Sequence, residues 1–191
     1  MKTRNILLTG IGGQGTILAS KLLTIGLMAE GYDVKMSEVH GMSQREGPVL
    51  THVRYGDKVY SPVVEKGTAD VLIGFEQLEV LRNLDYLSAE GTVVVNTAQV
   101  DPIGVLAGLE KYPENIEDLV RKHAKRLVVV DASAEAEKLG TRRVMNIILL
   151  GTIVKSMGLE EIDWHKIIAE NVKEDFIAVN QKALDLGMSL V

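Results

Sequence analysis

The chain has no cysteine among its 191 residues. That absence excludes disulfides, a thiol nucleophile and any cysteine-ligated iron–sulfur cluster on this chain. Positive charge is also in deficit: 21 Lys and Arg face 26 Asp and Glu, for a net charge of −5. With a pI near 5.4, this argues against a general nucleic-acid binder. No apolar run approaches the roughly 20 residues that span a bilayer. The N-terminus enters a strand pattern at once, without a secretory signature, so a cytoplasmic location and no membrane partner are expected. His40, His52, His123 and His165 show no metal-ligand spacing. No Ser/His/Asp order and no paired-carboxylate motif stands out, so the chain reads as a binding module more than a self-sufficient enzyme.

What is present begins with Ile6, Leu7 and Leu8, a short apolar run that reads as a buried strand. It leads straight into Gly10, Gly12, Gly13, Gln14 and Gly15. Gly10, Gly12 and Gly15 fall on the G-x-G-x-x-G spacing of a dinucleotide-binding βαβ unit. Glycine there permits a tight turn and lets backbone approach a phosphate. The helix that follows offers unpaired N–H groups and a positive dipole end. Ile17, Leu18, Leu22, Ile25 and Ala29 recur at helical steps and predict that helix, closed by Gly31. The acid that grips a ribose in such units ends the second strand, about 20 residues after the glycines. Glu38, ending a strand that begins at Asp33, is the candidate, although it lies farther along than the fingerprint expects. The alternative is that the glycines only pack helix against strand.

Further on, the pattern predicts strands over residues 49–55, 69–75, 91–96 and 127–131. It also predicts a turn at 56–58 with a short return strand at 59–61, and a helix over 77–87. The apolar runs are rich in β-branched residues, which favours a largely parallel buried sheet. From about residue 134 the chain turns helical, with helices over 142–157, 163–173 and 178–188. The expected architecture is one α/β domain over residues 1–191. It is Rossmann-like, a largely parallel sheet flanked by helices, with a helical C-terminal portion.

Ligands in open α/β sheets bind beyond the carboxyl ends of the strands. The glycine loop, the segment 38–47 and the strand ends at Phe75-Glu76-Gln77 and Asn96-Thr97 all belong there. The second of these carries Ser43, Gln44 and Arg45. Arg45 presents a fork of donors suited to a phosphate or carboxylate. An ion pair with Glu46 or Glu38, or a subunit contact, would use the same fork. Arg142 and Arg143 open a helix, where the dipole disfavours cations, and pairing with Glu135 or Glu137 is the expected offset. Asn146, one turn on in an otherwise apolar helix, needs a partner for its amide, either a neighbouring loop or a ligand.

Three segments, Gly10-Ile11-Gly12-Gly13-Gln14-Gly15, Glu38 through Ser43-Gln44-Arg45-Glu46-Gly47, and Arg142-Arg143-Val144-Met145-Asn146 with Gly151, carry a family resemblance. Together they resemble the gamma-type domain of the 2-oxoacid:ferredoxin oxidoreductases, over nearly the whole chain. Many members have Arg-Gly-Gly where this chain has Arg45-Glu46-Gly47, which points to the aryl-pyruvate, indolepyruvate-type branch rather than the pyruvate branch. The resemblance implies a small non-catalytic subunit. Its larger alpha partner subunit would hold thiamine diphosphate and 4Fe-4S clusters. The complex would decarboxylate an aryl 2-oxoacid oxidatively, form an acyl-CoA and reduce ferredoxin. The resemblance further implies coenzyme A at the glycine loop and Arg45 near the active-site interface. A stand-alone NAD(P)-binding Rossmann oxidoreductase is the competing reading; Glu38 would serve it, but a catalytic Tyr, Lys or His is missing. A purely structural subunit is the third.

Overall fold

The computed structural model describes residues 2–41 and 47–191, so Ser43, Gln44 and Arg45 lie outside the described residues. Strand β1 (Arg4–Ile11) passes through the glycine loop into helix α1 (Thr16–Ala29). Strands β2 (Asp33–His40), β3 (Pro48–Gly56) and β4 (Ala69–Gly74) follow, then α2 (Gln77–Arg82) and β5 (Leu87–Asn96). Short helices α3 (Ile103–Leu106) and α4 (Ile116–Arg121) precede β6 (Arg126–Val130). The chain closes with α5 (Ala132–Lys138), α6 (Met145–Met157), α7 (Trp164–Asn171) and α8 (Ile177–Ser189). None of these helices is long and apolar enough to cross a membrane.

The six strands form one sheet in the order β2-β3-β1-β4-β5-β6. Strands β1, β4, β5 and β6 are mutually parallel. Strand β3 runs antiparallel to both β1 and β2, so the sheet is mixed rather than uniformly parallel. The reason is the connection. Residues 41–47 are too few for the crossover of about a dozen residues that a parallel pair requires. The chain therefore doubles back, and β3 takes the place beside β1 that the second strand holds in a classical dinucleotide-binding unit. Arg4 pairs with Tyr55 and Ile11 with Pro48, which carries β2 and its Glu38 one strand farther out.

Alternation along each strand feeds two cores. Ile6, Leu8, Ile73 and Val94 face α1 and the C-terminal helices. Leu7, Leu72, Val93 and Val95 face α2 and α4. Helix α6 is buried over nearly its whole circumference, which its apolar sequence requires. It crosses α8 at two glycines. A Cβ on Gly187 would fall on the Ile148 carbonyl, and one on Gly151 would fall on the Leu184 carbonyl, so the backbones meet directly.

Several local expectations shift. Ile17 and Leu18 are exposed, because the first turn of α1 stands beyond the strand end; Ala19, Leu22, Leu23 and Leu27 make its core contacts instead. Gly31 does end the helix, in the left-handed conformation at φ 82°. Residues 59–61 form no return strand; the Val59 N–H donates to Asp33 Oδ2 at 2.9 Å. The helix predicted over 77–87 stops at Arg82, where Asn83 Nδ2 bonds the Glu79 carbonyl at 2.8 Å and a 3₁₀ turn leads into β5. Residues Arg142–Val144 are also 3₁₀, entered through Thr141, whose hydroxyl accepts the Arg143 N–H. His165 pairs with Asp185 on the surface, and His123 lies exposed against the Leu119 carbonyl.

Candidate functional site

The loop after β1 is held in place by its own side chains. Gln14 folds inward: its Oε1 accepts the Ile11 N–H at 2.7 Å, and its Nε2 donates to the Phe75 carbonyl at 3.2 Å. The amide thus ties the loop to the end of β4. Gly10 lies beneath it, and a Cβ there would come within 2.8 Å of both Gln14 Oε1 and Phe75 Cβ. The Gly12 N–H donates to the Gly47 carbonyl at 2.9 Å, closing the loop onto the start of β3. Gly13 and Gly15 adopt φ 94° and 81°, a region that costs other residues about 1–2 kcal/mol.

Gly15 caps α1 without a side chain, and the first turn holds no acidic residue. Among the described residues, the N–H groups of Gly13, Gly15, Thr16 and Ile17 find no acceptor. They are the orphan donors of a helix start, backed by the helix dipole. Beside them opens a cleft of about 400 Å³, within the range of small-ligand sites. Gly12, Gly13, Gly15 and Thr16 line one side; Glu38 and His40 line the other. The structure therefore brings Glu38 to the glycines even though β3 separates their strands. Among the described residues its carboxylate receives only a long 3.4 Å contact from Thr51 Oγ1. It can accept from a ligand hydroxyl and repels a second anion.

Asn146, in the first turn of α6, reaches the loop from the opposite side. It is 4% exposed, and its Nδ2 donates to the Gly15 carbonyl at 3.2 Å. Its Oδ1 is buried without a partner among the described residues, a cost of about 1–3 kcal/mol. Of the two partners the sequence allowed, the structure supplies the neighbouring loop. Arg142 pairs with Glu137, one of its two expected partners.

A second cleft, of about 750 Å³, opens on the α2 side between Ile11, Pro48, Leu78, Arg82 and Ile103. Two carboxylates on this side were not legible as buried: Glu79, which lines the cleft, is 2% exposed, and Glu76, which does not line it, is 1% exposed. Glu76 caps α2 by accepting the Glu79 N–H at 2.9 Å. It also accepts from the Val100 N–H at 3.2 Å and the Tyr112 hydroxyl at 2.5 Å. Burial, and then the Glu76 carboxylate, push the Tyr112 phenol upward. Burial likewise raises Glu79, against the pull of Arg82 Nη1 at 2.5 Å. These carboxylates find donors within the chain, whereas the donors of the glycine-loop cleft find no acceptor among the described residues. Among the described residues no group of His, Asp or Glu side chains could hold a metal ion.

The family described as pyruvate ferredoxin/flavodoxin oxidoreductase matches residues 5–190. The indolepyruvate oxidoreductase subunit IorB of Pyrococcus horikoshii is 38% identical, over 98% of this chain and 96% of that protein. Among solved structures, the gamma subunit of a keto/oxoacid ferredoxin oxidoreductase from Geobacter sulfurreducens superposes with a TM-score of 0.75. It is 21% identical, and the match covers 100% of this chain and 97% of that one. A 2-oxoglutarate:ferredoxin oxidoreductase from Magnetococcus marinus, solved with 2-oxoglutarate, coenzyme A and succinyl-CoA bound, also gives 0.75. It is 20% identical, and the match covers 100% of this chain but 31% of that longer one. At these identities the two structures speak for the fold.

Proposed function

The chain belongs to the pyruvate ferredoxin/flavodoxin oxidoreductase family, and from that premise we propose that it is the small, non-catalytic subunit of an indolepyruvate-type 2-oxoacid:ferredoxin oxidoreductase. Its contribution is to hold coenzyme A. The observation that carries this reading is the glycine-loop cleft, where N–H groups at the α1 N-terminus find no acceptor among the described residues and the first turn holds no acid. A relative of the same fold is described with coenzyme A bound, which supports the choice of ligand.

The residues divide the work as follows. The N–H groups of Gly13, Gly15 and Thr16 receive a phosphate oxygen. Glu38 accepts from a hydroxyl of the same ligand. Gln14 keeps the loop closed on β4. With no cysteine on this chain, the iron–sulfur path to ferredoxin, and thiamine diphosphate with it, belong to a larger alpha partner subunit. There an aryl 2-oxoacid loses carbon dioxide, its acyl group passes to the coenzyme A thiol and two electrons leave for ferredoxin. Ser43, Gln44 and Arg45 belong in this reading at the junction with that partner.

Co-expression with the partner tests the assignment. The complex is expected to reduce ferredoxin in the presence of indolepyruvate and coenzyme A, and the small chain alone is expected to give no turnover. Ferredoxin reduction by this chain free of partner would overturn it. Ligand-dependent melting separates coenzyme A from a nicotinamide dinucleotide, which would also use Glu38. A ligand at 100 times its dissociation constant adds about 2.7 kcal/mol. Stabilisation by NADH or NADPH but not by coenzyme A would favour the dehydrogenase reading.

A further inference from the structure

We infer that Asn146 is a positioning residue. From behind the glycine loop it fixes the Gly15 peptide, and so sets the direction in which the α1 N-terminus presents its donors to the cleft. The inference rests on the reading of that cleft as an anion site, but its first observable does not.

Four observations carry it. Asn146 and Gly15 are 131 residues apart in sequence, yet Asn146 Nδ2 donates to the Gly15 carbonyl at 3.2 Å. That carbonyl already accepts the Ala19 N–H at 3.2 Å. The second donor is therefore not needed to satisfy it, and its effect is to orient the peptide. The two residues are also complementary in shape. A Cβ on Gly15 would stand 2.8 Å from Asn146 Nδ2 and 3.0 Å from its Cγ, so the amide fills the place a side chain at 15 would take. Finally, Asn146 keeps a buried Oδ1 that finds no donor among the described residues, on a helix whose next residues are Ile147, Ile148, Leu149 and Leu150. Packing alone would be better served by an apolar residue of the same size.

Gln14 grips the loop from the β4 side, and Asn146 grips it from α6. Gly15, left-handed at φ 81°, lies between the two clamps at the point where loop becomes helix. Asn146 does not line the cleft. Its influence on a bound anion therefore passes through the Gly15 peptide and the N–H groups that follow.

The test uses the full chain with Asn146→Leu, which keeps the branched shape and removes both the donor and the orphaned acceptor. Two quantities are read besides the melting temperature: amide hydrogen exchange over residues 13–19 and the dissociation constant for coenzyme A. Exchange in that segment is expected to rise while α7 and α8 stay unchanged, and coenzyme A is expected to bind about three- to tenfold more weakly, the worth of one neutral hydrogen bond. The melting temperature is expected to hold or rise, a divergence that a merely structural residue would not give. Unchanged exchange over 13–19 overturns the inference even if coenzyme A binds. So does exchange that rises uniformly through the helical layer. Faster local exchange in a chain whose wild type ignores coenzyme A leaves the positioning role intact and removes the proposed ligand instead. If the leucine variant does not fold, Asn146→Ala is read by the same two measurements with the same expected outcomes.

Discussion

On the sheet face covered by α1 and α6, the buried polar side chains Thr16, Ser20, Asn146, Thr152 and Asn180 are all neutral; on the face covered by α2 and α4 stand Glu76, Glu79 and His52. The two helix starts differ in the same way. Glu76 caps α2 with its own carboxylate, whereas α1 begins at a bare Gly15. At α2 the Glu76 carboxylate takes the Glu79 N–H and the Ala98 carbonyl takes the Gln77 N–H, whereas the first N–H groups of α1 find no acceptor among the described residues. The charged face uses its charge to hold itself together, with Glu76 joining α2 to Val100 and Tyr112, Arg82 offsetting Glu79, and His52 accepting the Val64 N–H at 3.2 Å. The neutral face is held by close backbone contact. Stability on that side should be indifferent to pH, and stability on the other should not.

The largest effect is expected from Gly187→Val. The added side chain would be driven onto the Ile148 carbonyl, where backbone rather than a flexible side chain must yield. Overpacking of this kind costs about 3 kcal/mol or more. Denaturant melts should show the same loss at pH 5 and pH 8; a loss that changed with pH would break the contrast between the faces.

Arg82→Gln should act on the other face and depend on pH. Burial raises the Glu79 carboxyl above its ordinary value. The folded state therefore holds that proton more tightly than the unfolded chain, and stability falls as pH rises through the folded-state value. Arg82 opposes this, and its removal should widen the penalty. Because Arg82 is 47% exposed, the cost should be about 1–2 kcal/mol near pH 8, below that of a fully buried pair, and smaller at pH 5.

The smallest effect belongs to His52. Burial lowers its pKa from the ordinary 6.5, so the unfolded chain takes up the proton first. Its contribution is complete above pH 6.5 and is lost as pH falls. His52→Gln retains an acceptor for Val64. Neutral stability should change by no more than about 1 kcal/mol, while the acid limb of the stability curve flattens. An acid limb that persisted in the variant would assign it to other groups.

The neutral side of this comparison was largely legible in the sequence. The glycine loop, β1 and α1 are contiguous, and the need of Asn146 for a partner follows from its apolar neighbours. The charged side was not. Glu76 and Glu79 read as ordinary acids at a helix start, because only folding brings Val100 and Tyr112 over them. The insertion of β3 between β1 and β2 was missed for a related reason. Strand pairing is set by the length of the 41–47 connection and by long-range register, neither of which appears in the alternation of residues 49–55. Asn83, which ends α2 early, acts through a side-chain bond to the Glu79 carbonyl that periodicity does not reveal.

Calorimetric titration of coenzyme A into the full chain, its Gly12→Val variant and its Arg82→Gln variant tests the central claim most directly. A side chain at Gly12 fills the space a phosphate needs beside the loop. Heat of binding is expected for the wild type, none for folded Gly12→Val, and a dissociation constant for Arg82→Gln within about twofold of the wild type, as for a substitution outside the site. Binding that survives Gly12→Val and disappears with Arg82→Gln would place the ligand on the α2 side and contradict it.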